Sequence, residues 1–313
     1  MLKPNWIGRR VSIRLAVSDR FADVVGDLLD LTDERGVVET RGGLVEVLLG
    51  DVAIAKLVPP STGDELNLEA VAADGWRPAE SEWLGGWLLR ANFGFTRRAN
   101  CVLPLRQPDR PLAEALDAAR AWYAERGLPL AFQVPAESRR LLDAALGEQG
   151  WGLEEDIHVM AARLDAVQEI ETDALVTPEP DPDFATLYRG GVGDAHANAI
   201  LTRHDRAGFA AIHRDGELVA IGRAALDTDQ HDVTWLGIFA VEVAAHARRQ
   251  GLARQVMAAL HAWGRDGGAA RAYLQVSSSN AAAIALYESL GYYIHHDYRY
   301  RIDPAAATQT SSC

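Results

Sequence analysis

Apolar and polar positions alternate in short runs over the first sixty residues. RRVSIRL (9–15) sets the pattern, and VVGDLLDL (24–31), GVVET (36–40), LVEVLL (44–49) and VAIAKLV (52–58) continue it. Asp33–Gly36, Arg41–Gly43 and Gly50-Asp51 separate the runs. A period of two bounded by turn residues predicts strands. Five strands in so short a span predict a small closed or nearly closed barrel, because closure removes sheet edges. Pro59-Pro60-Ser61-Thr62-Gly63 then reads as a linker.

Beyond the linker the period changes and a repeat emerges. LAFQVPAESRRLLDAALGEQGW (130–151) parallels RAYLQVSSSNAAAIALYESLGY (271–292). Each is an apolar run ending in Gln-Val, then an amphipathic helix, then Gly and an aromatic: Gly150-Trp151 and Gly291-Tyr292. A helical segment precedes each copy, with Gly127 and Gly267-Gly268 as C-cap signals. A strand-like segment closes each, DIHVMAARL and HHDYRYRI. Two β-α-β-α-β units follow from this order, an α/β arrangement behind an all-β segment.

The second copy carries the chemistry. DVTWLGIFAVEV (232–243) reads as a buried strand. Arg248-Arg249-Gln250-Gly251-Leu252-Ala253 follows and opens a helix. A helix N-terminus already carries about half a positive charge, so two arginines there add repulsion unless an anion sits on that end. Free backbone N–H groups, a glycine for close approach and arginine for charge make a phosphate cradle. The Lys-Ser/Thr of a P-loop is missing, so a magnesium nucleotide is not expected. Further on, Asn280 is placed to cap the helix that begins with Ala281-Ala282-Ala283. Ala283 and Tyr287 are four apart, on one helix face.

Composition narrows the classes of function. The 313 residues carry a formal charge of −13, which disfavours nucleic acid and anionic membranes as generic partners. In the first sixty residues, eight basic residues stand against nine acidic ones, not the excess that a nucleic-acid module would carry. Two cysteines, Cys101 and Cys313, are no disulfide framework and suit a cytoplasmic protein. MLKPNWIGRR has no apolar signal core, and no stretch is apolar enough to span a membrane. His295-His296 and His231 match no common zinc spacing, so no metal is expected.

The order strand, Arg-x-x-Gly-x-Ala, helix, strand, Asn-x-x-Ala-x-x-Leu-Tyr, Gly-Tyr over residues 208–301 resembles the GNAT family, the Gcn5-related N-acetyltransferases. The whole layout resembles an actinobacterial type with an SH3-like N-terminal domain and two GNAT-like halves. The resemblance implies an SH3-like barrel over 1–60, a degenerate half over 65–165 and a coenzyme-binding half over 170–303; the small, polar residues of 304–313 are expected to form a disordered tail. It implies acetyl-CoA as cofactor, with Arg248, Arg249, Gln250, Gly251, Leu252 and Ala253 at its pyrophosphate. Val241 and Val243 would pair with the pantetheine arm, with Asn280 and Ala283 beside it. Tyr287 would protonate the departing thiolate of an N-acetyl transfer by direct attack on an amine.

Glu242 is the candidate base, with His246, His231 and Asp232 as alternatives. The first half has no Arg-x-x-Gly-x-Ala before residues 111–127, and Asn280 and Tyr287 map there to Ser138 and to Ala145 or Leu146. That half is expected to bind no cofactor and to shape the acceptor pocket. Ala245 stands where the family commonly has proline. The alternative function is an acyl-CoA-binding regulatory or sensor protein without turnover. The N-terminal barrel would be a protein-docking module, and the amine acceptor stays open.

Overall fold

The computed structural model describes residues 1–17, 20–188 and 195–307. Contacts divide the chain into two units, Met1–Ser61 and Thr62–Cys313. In the first unit the alternating runs form β1 (Arg10–Val17), β2 (Arg20–Leu31), β3 (Arg35–Thr40), β4 (Gly43–Leu48) and β5 (Val52–Leu57). Alternation turns Val11 and Ile13 inward against Leu28, Val38 and Val47. The antiparallel order is β4-β3-β2-β1-β5. Among the described residues β4 and β5 do not pair, so of the closed or nearly closed barrel expected from the sequence, the closed form is not what the five strands make. A 3-10 turn at Leu49–Asp51 carries the chain across to β1 instead of folding it back as a hairpin.

The second unit begins with α1 (Thr62–Gly75), inside the stretch read as linker. There follow β6 (Glu80–Leu84), β7 (Trp87–Ala91), β8 (Leu103–Pro104), α2 (Leu112–Ala124), β9 (Ala131–Pro135), α3 (Arg140–Glu148) and β10 (Gly152–Arg163). A connecting region holds β11 (Leu175–Thr177) and two short helical turns, α4 (Phe184–Leu187) and α5 (Ala195–Asn198). Then come β12 (Ala207–Arg214), β13 (Glu217–Thr228), β14 (Thr234–Val243), α6 (Leu252–Asp266), β15 (Arg271–Ser277), α7 (Ala281–Ser289) and β16 (Tyr293–Ile302). Of the segment expected to be a disordered tail, Pro304–Ala307 forms a helical turn, α8, and 308–313 lie outside the described residues.

The main sheet has the order β11-β12-β13-β14-β15-β10-β16-β9. Every neighbouring pair is antiparallel except β14 and β15. The two repeat copies exchange their final strands. β10, which ends the first copy, lies against β15 of the second; β16, which ends the second, lies against β9 of the first. β10 and β16 pair with each other in the middle. The repeat is therefore real in element order, and its halves share one sheet.

The two faces of the sheet bury different partners. On one face Leu236, Ile238, Leu274 and Met160 pack beneath Val256, Met257 and Leu260 of α6. On the other, Trp235, Phe239, Tyr273, Val159 and Tyr298 pack with Leu68 and Val71 of α1. α2 and α3 form a separate core with Trp87, Phe132 and Trp151. α1 also buries Glu65 and Glu69, which its sequence alone would assign to a solvated face. Glu69 bonds His296 Nε2 at 2.9 Å and accepts from Gln133, and Glu65 accepts from the Ser138 amide.

Candidate active site

The site begins where two parallel strands part. β14 and β15 pair from Trp235 and Arg271 up to Ile238 and Leu274, and no further. The cause lies in β14. Against β13, Ile221 pairs with Glu242 and Arg223 with Phe239, so Gly222 alone faces two residues, Ala240 and Val241. That is a β-bulge, and Ala240 takes a φ of +52° there. A side chain on Gly222 would meet Val256 Cγ1 at 2.5 Å, so the close seat of α6 on the sheet at this point needs glycine.

The bulge also sorts the side chains. Residues paired across a ladder point to one face. Val243 pairs with Ala220, and Val241 and Val243 both pack on the α6 face, together with Ala283 and Tyr287 of α7. Glu242 pairs with Ile221, whose side chain belongs to the α1-face core, so Glu242 points to the opposite face. The gap between β14 and β15 thus joins two differently furnished sides.

The arginine turn lies just beyond. The Ala244 amide donates to the Val219 carbonyl at 2.8 Å, and a 3-10 turn at Ala245–Ala247 leads into Arg248. Arg248 Nε donates to the Val243 carbonyl at 3.2 Å, which ties the turn to the end of β14. Arg249 and Gly251 have φ of +67° and +80°, and Gly251 is the N-cap of α6 with no side-chain cap. A side chain at Gly251 would touch nothing within 4 Å, so the glycine is there for its backbone conformation. Arg248, Arg249, Gln250 and Gly251 are exposed, Ala253 is half-buried, and Leu252 is buried and anchors the first helical turn. An uncapped N-terminus flanked by two exposed guanidiniums fits a phosphate group.

α7 closes the same side. Asn280 Oδ1 accepts from the Ala283 amide at 3.1 Å, so Asn280 is the helix cap. Arg254 of α6 donates to Ser289 at 2.6 Å and holds the two helices together. Burial pushes the Tyr287 hydroxyl up to about 12, which keeps it protonated at neutral pH. Its ring lies 6.1 Å from that of Tyr292, whose hydroxyl meets His261 Nε2 at 2.8 Å. Of the alternative bases, His231 and Asp232 lie in the turn before β14, at the far end of the strand from Val241. His246 is exposed, 3.7 Å from Glu217.

On the α1 side a cleft of about 940 Å³ opens at the end of β15. Gln275 and Ser277 line it from the strand, Tyr298 and Tyr300 from β16, and Arg98 from the first half. Sequence reasoning missed these as site residues. Tyr298 and Tyr300 do complete the last strand as expected, and Gln275 was visible only as a landmark of the repeat. Among the described residues no group of three or more His, Cys, Asp or Glu side chains could hold a metal.

A mixed sheet whose one parallel pair splays around a bulge, above an uncapped arginine-flanked helix start, defines the GNAT acetyltransferase class. Solved structures agree. A GCN5-related N-acetyltransferase from Kribbella flavida superposes with a TM-score of 0.59 at 18% identity, covering 78% of this chain and 97% of that one. A tandem GNAT protein from the clavulanic acid biosynthesis pathway reaches 0.50 at 14% identity, covering 77% and 94%. Residues 62–301 match the family described as "Probable histone acetyltransferase Rv0428c C-terminal", and the chain belongs to that family. It is 31% identical over 314 residues to the probable histone acetyltransferase Rv0428c of Mycobacterium tuberculosis, covering 95% of this chain and 96% of that protein. It is 29% identical over 250 residues to the uncharacterized N-acetyltransferase YobR of Bacillus subtilis, covering 76% and 98%.

Proposed function

We propose that this protein transfers an acetyl group from acetyl-CoA to a primary amine by direct attack. The observation that carries the reading is the parting of β14 from β15 beyond Ile238 and Leu274, with the uncapped start of α6 beside it. Arg248 and Arg249 would hold the pyrophosphate with the first N–H groups of α6, where Gly251 permits close approach. Val241 and Val243 would offer backbone groups to the pantetheine arm, and Asn280 and Ala283 would border it.

When bound, acetyl-CoA supplies the activated acetyl group: its carbon–sulfur bond breaks as the amine nitrogen bonds to the carbonyl carbon. Tyr287 would deliver its hydroxyl proton to the departing sulfur. A backbone N–H near Val241 would donate to the carbonyl oxygen. Glu242, on the opposite face, would take the proton that the amine loses. The first half would bind no coenzyme and would wall the acceptor side. Of the two relatives, one is named for histones, which makes a protein lysine one class of acceptor to test.

Calorimetric titration with acetyl-CoA, CoA and ATP tests this. Acetyl-CoA should bind at one site per chain and ATP should not. Two coenzyme sites would mean that the first half also binds. Tight binding without turnover on any amine would turn the reading into that of an acyl-CoA sensor.

A further inference from the structure

The cleft on the α1 side holds a cation without a counter-ion. Arg97 pairs with Glu154 at 2.7 Å, whereas among the described residues Arg98 beside it forms no ion pair. The Arg98 guanidinium faces Tyr298 and Tyr300 and hydrogen-bonds Tyr298, while its Nε is buried with no partner. Burial pushes both tyrosine hydroxyls up, so neither supplies a negative charge at neutral pH. A second buried donor in the same cleft, Gln275 Nε2, also lacks a partner, while Gln275 Oε1 accepts from Tyr298 at 3.4 Å.

The other copy of the repeat shows what a closed version looks like. Gln133 is the counterpart of Gln275 by the shared Gln-Val. Its oxygen accepts from Arg90 at 2.9 Å and its nitrogen donates to Glu69. The counterpart is thus locked between an arginine and a carboxylate, whereas among the described residues no carboxylate bonds Gln275. Arg98 is half-buried and has no carboxylate partner, and the unpartnered Nε and Gln275 Nε2 are both donors, so an anionic oxygen group from a ligand would complete them.

The position says where that group would sit. Arg98 lies over the Phe239 ring, 5.9 Å from its centroid. Phe239 is the first residue of β14 past the last pair with β15, at the edge of the gap. Of the carboxylates that also line the cleft, Glu154 is taken by Arg97 at 2.7 Å and Asp156 by Arg299 at 3.2 Å.

We propose that the acceptor is an amino-carboxylate, whose carboxylate is taken by Arg98 and Gln275 while its amine reaches the gap between β14 and β15. This rests on the acetyl-transfer reading above. Neither an amine lacking an anion nor a lysine side chain within a basic peptide would satisfy both donors as well.

The test compares free amino acids with their carboxamides, and with a histone-tail lysine peptide, as acceptors for the full-length enzyme. The free acids should have a kcat/KM about tenfold or more above the amides, the weight of one charge-assisted contact. In Arg98→Met that acid-to-amide ratio should collapse toward one, and Arg98→Lys should restore part of it. Saturation-transfer NMR should detect an N-acetyl amino acid bound to the wild type, and weaker binding to Arg98→Met. Equal use of acid and amide, or preference for the peptide, overturns the proposal. So does an Arg98→Met effect of equal size on kcat for every acceptor. The wild-type comparison holds even if the variant does not fold. If acetyl-CoA fails to bind, the underlying reading falls instead; if it binds and the acid preference is absent, only the amino-carboxylate falls.

Discussion

Ile238 and Leu274 are the last residues to pair across the parallel strands β14 and β15. Beyond them the strands go separate ways, β14 through its bulge toward the arginine turn and β15 straight on to Gln275 and Ser277. A neutral hydroxyl, Tyr287, stands on one side of the opening, and a carboxylate, Glu242, faces the other. In the acetyl transfer proposed above, the first would be the proton donor for the leaving sulfur and the second the proton acceptor for the incoming amine. The single extra residue in β14 gives the two groups their opposite sides.

Arg248→Ala with Arg249→Ala should weaken acetyl-CoA binding by about ten- to a hundredfold, the size expected for charged contacts to phosphate. Both side chains are exposed and only the Arg248 bond to the Val243 carbonyl is lost, so thermal stability should fall by little. Calorimetry on the double variant checks this, and an unchanged affinity would remove the pyrophosphate from this turn.

Tyr287→Phe should lower kcat by on the order of a hundredfold while leaving acetyl-CoA affinity intact. Because burial raises the hydroxyl from 10.0 to about 12, the donor stays protonated across the working range. The pH–rate profile should therefore show no Tyr287 limb below about pH 10. Wild-type turnover in the variant would take away its acid role.

His261 gives the fold an acid-sensitive element. Burial lowers its imidazole from the ordinary 6.5 to about 4, so the folded state holds it neutral. A depressed value means that its contribution to stability is present above pH 6.5 and is lost as pH falls through about 4. Urea titrations at pH 7, 5.5 and 4 should show the wild type losing more stability than His261→Gln over that window. Parallel losses in both proteins would assign the acid sensitivity elsewhere.

Gly222→Ala should destabilise by about 1–3 kcal/mol, the usual cost of overpacking. The new Cβ would sit 2.5 Å from Val256 Cγ1 and 3.0 Å from Leu260 Cδ1, pushing α6 off the sheet beside the bulge. A melting temperature lower by several degrees, together with weaker acetyl-CoA binding, is the expected outcome. A fully stable variant with full affinity would mean that α6 can shift without disturbing its own N-terminus.

Much of the geometry around the arginine turn was legible because its signals are local. The Arg248–Ala253 turn, the Asn280 cap and the alternation of Val241 and Val243 depend on neighbours within a few residues. The strand exchange was not legible, since β10 and β15 meet across more than a hundred residues of chain and each reads equally well as a partner for its own copy. α1 escaped notice because Glu65 and Glu69 occupy positions that burial normally reserves for apolar residues, and their partners His296, Gln133 and Ser138 lie far along the chain. Arg98 was invisible for a similar reason: it belongs to no motif, and only the arrival of β16 gives it a place.

The exchanged strands also set an order of events in synthesis. β16 fills a slot whose two walls, β9 and β10, leave the ribosome well over a hundred residues earlier. Until β16 emerges, the nascent chain carries an unfilled gap between β10 and the edge strand β9. The two halves of the repeat can only be finished together, in one late step.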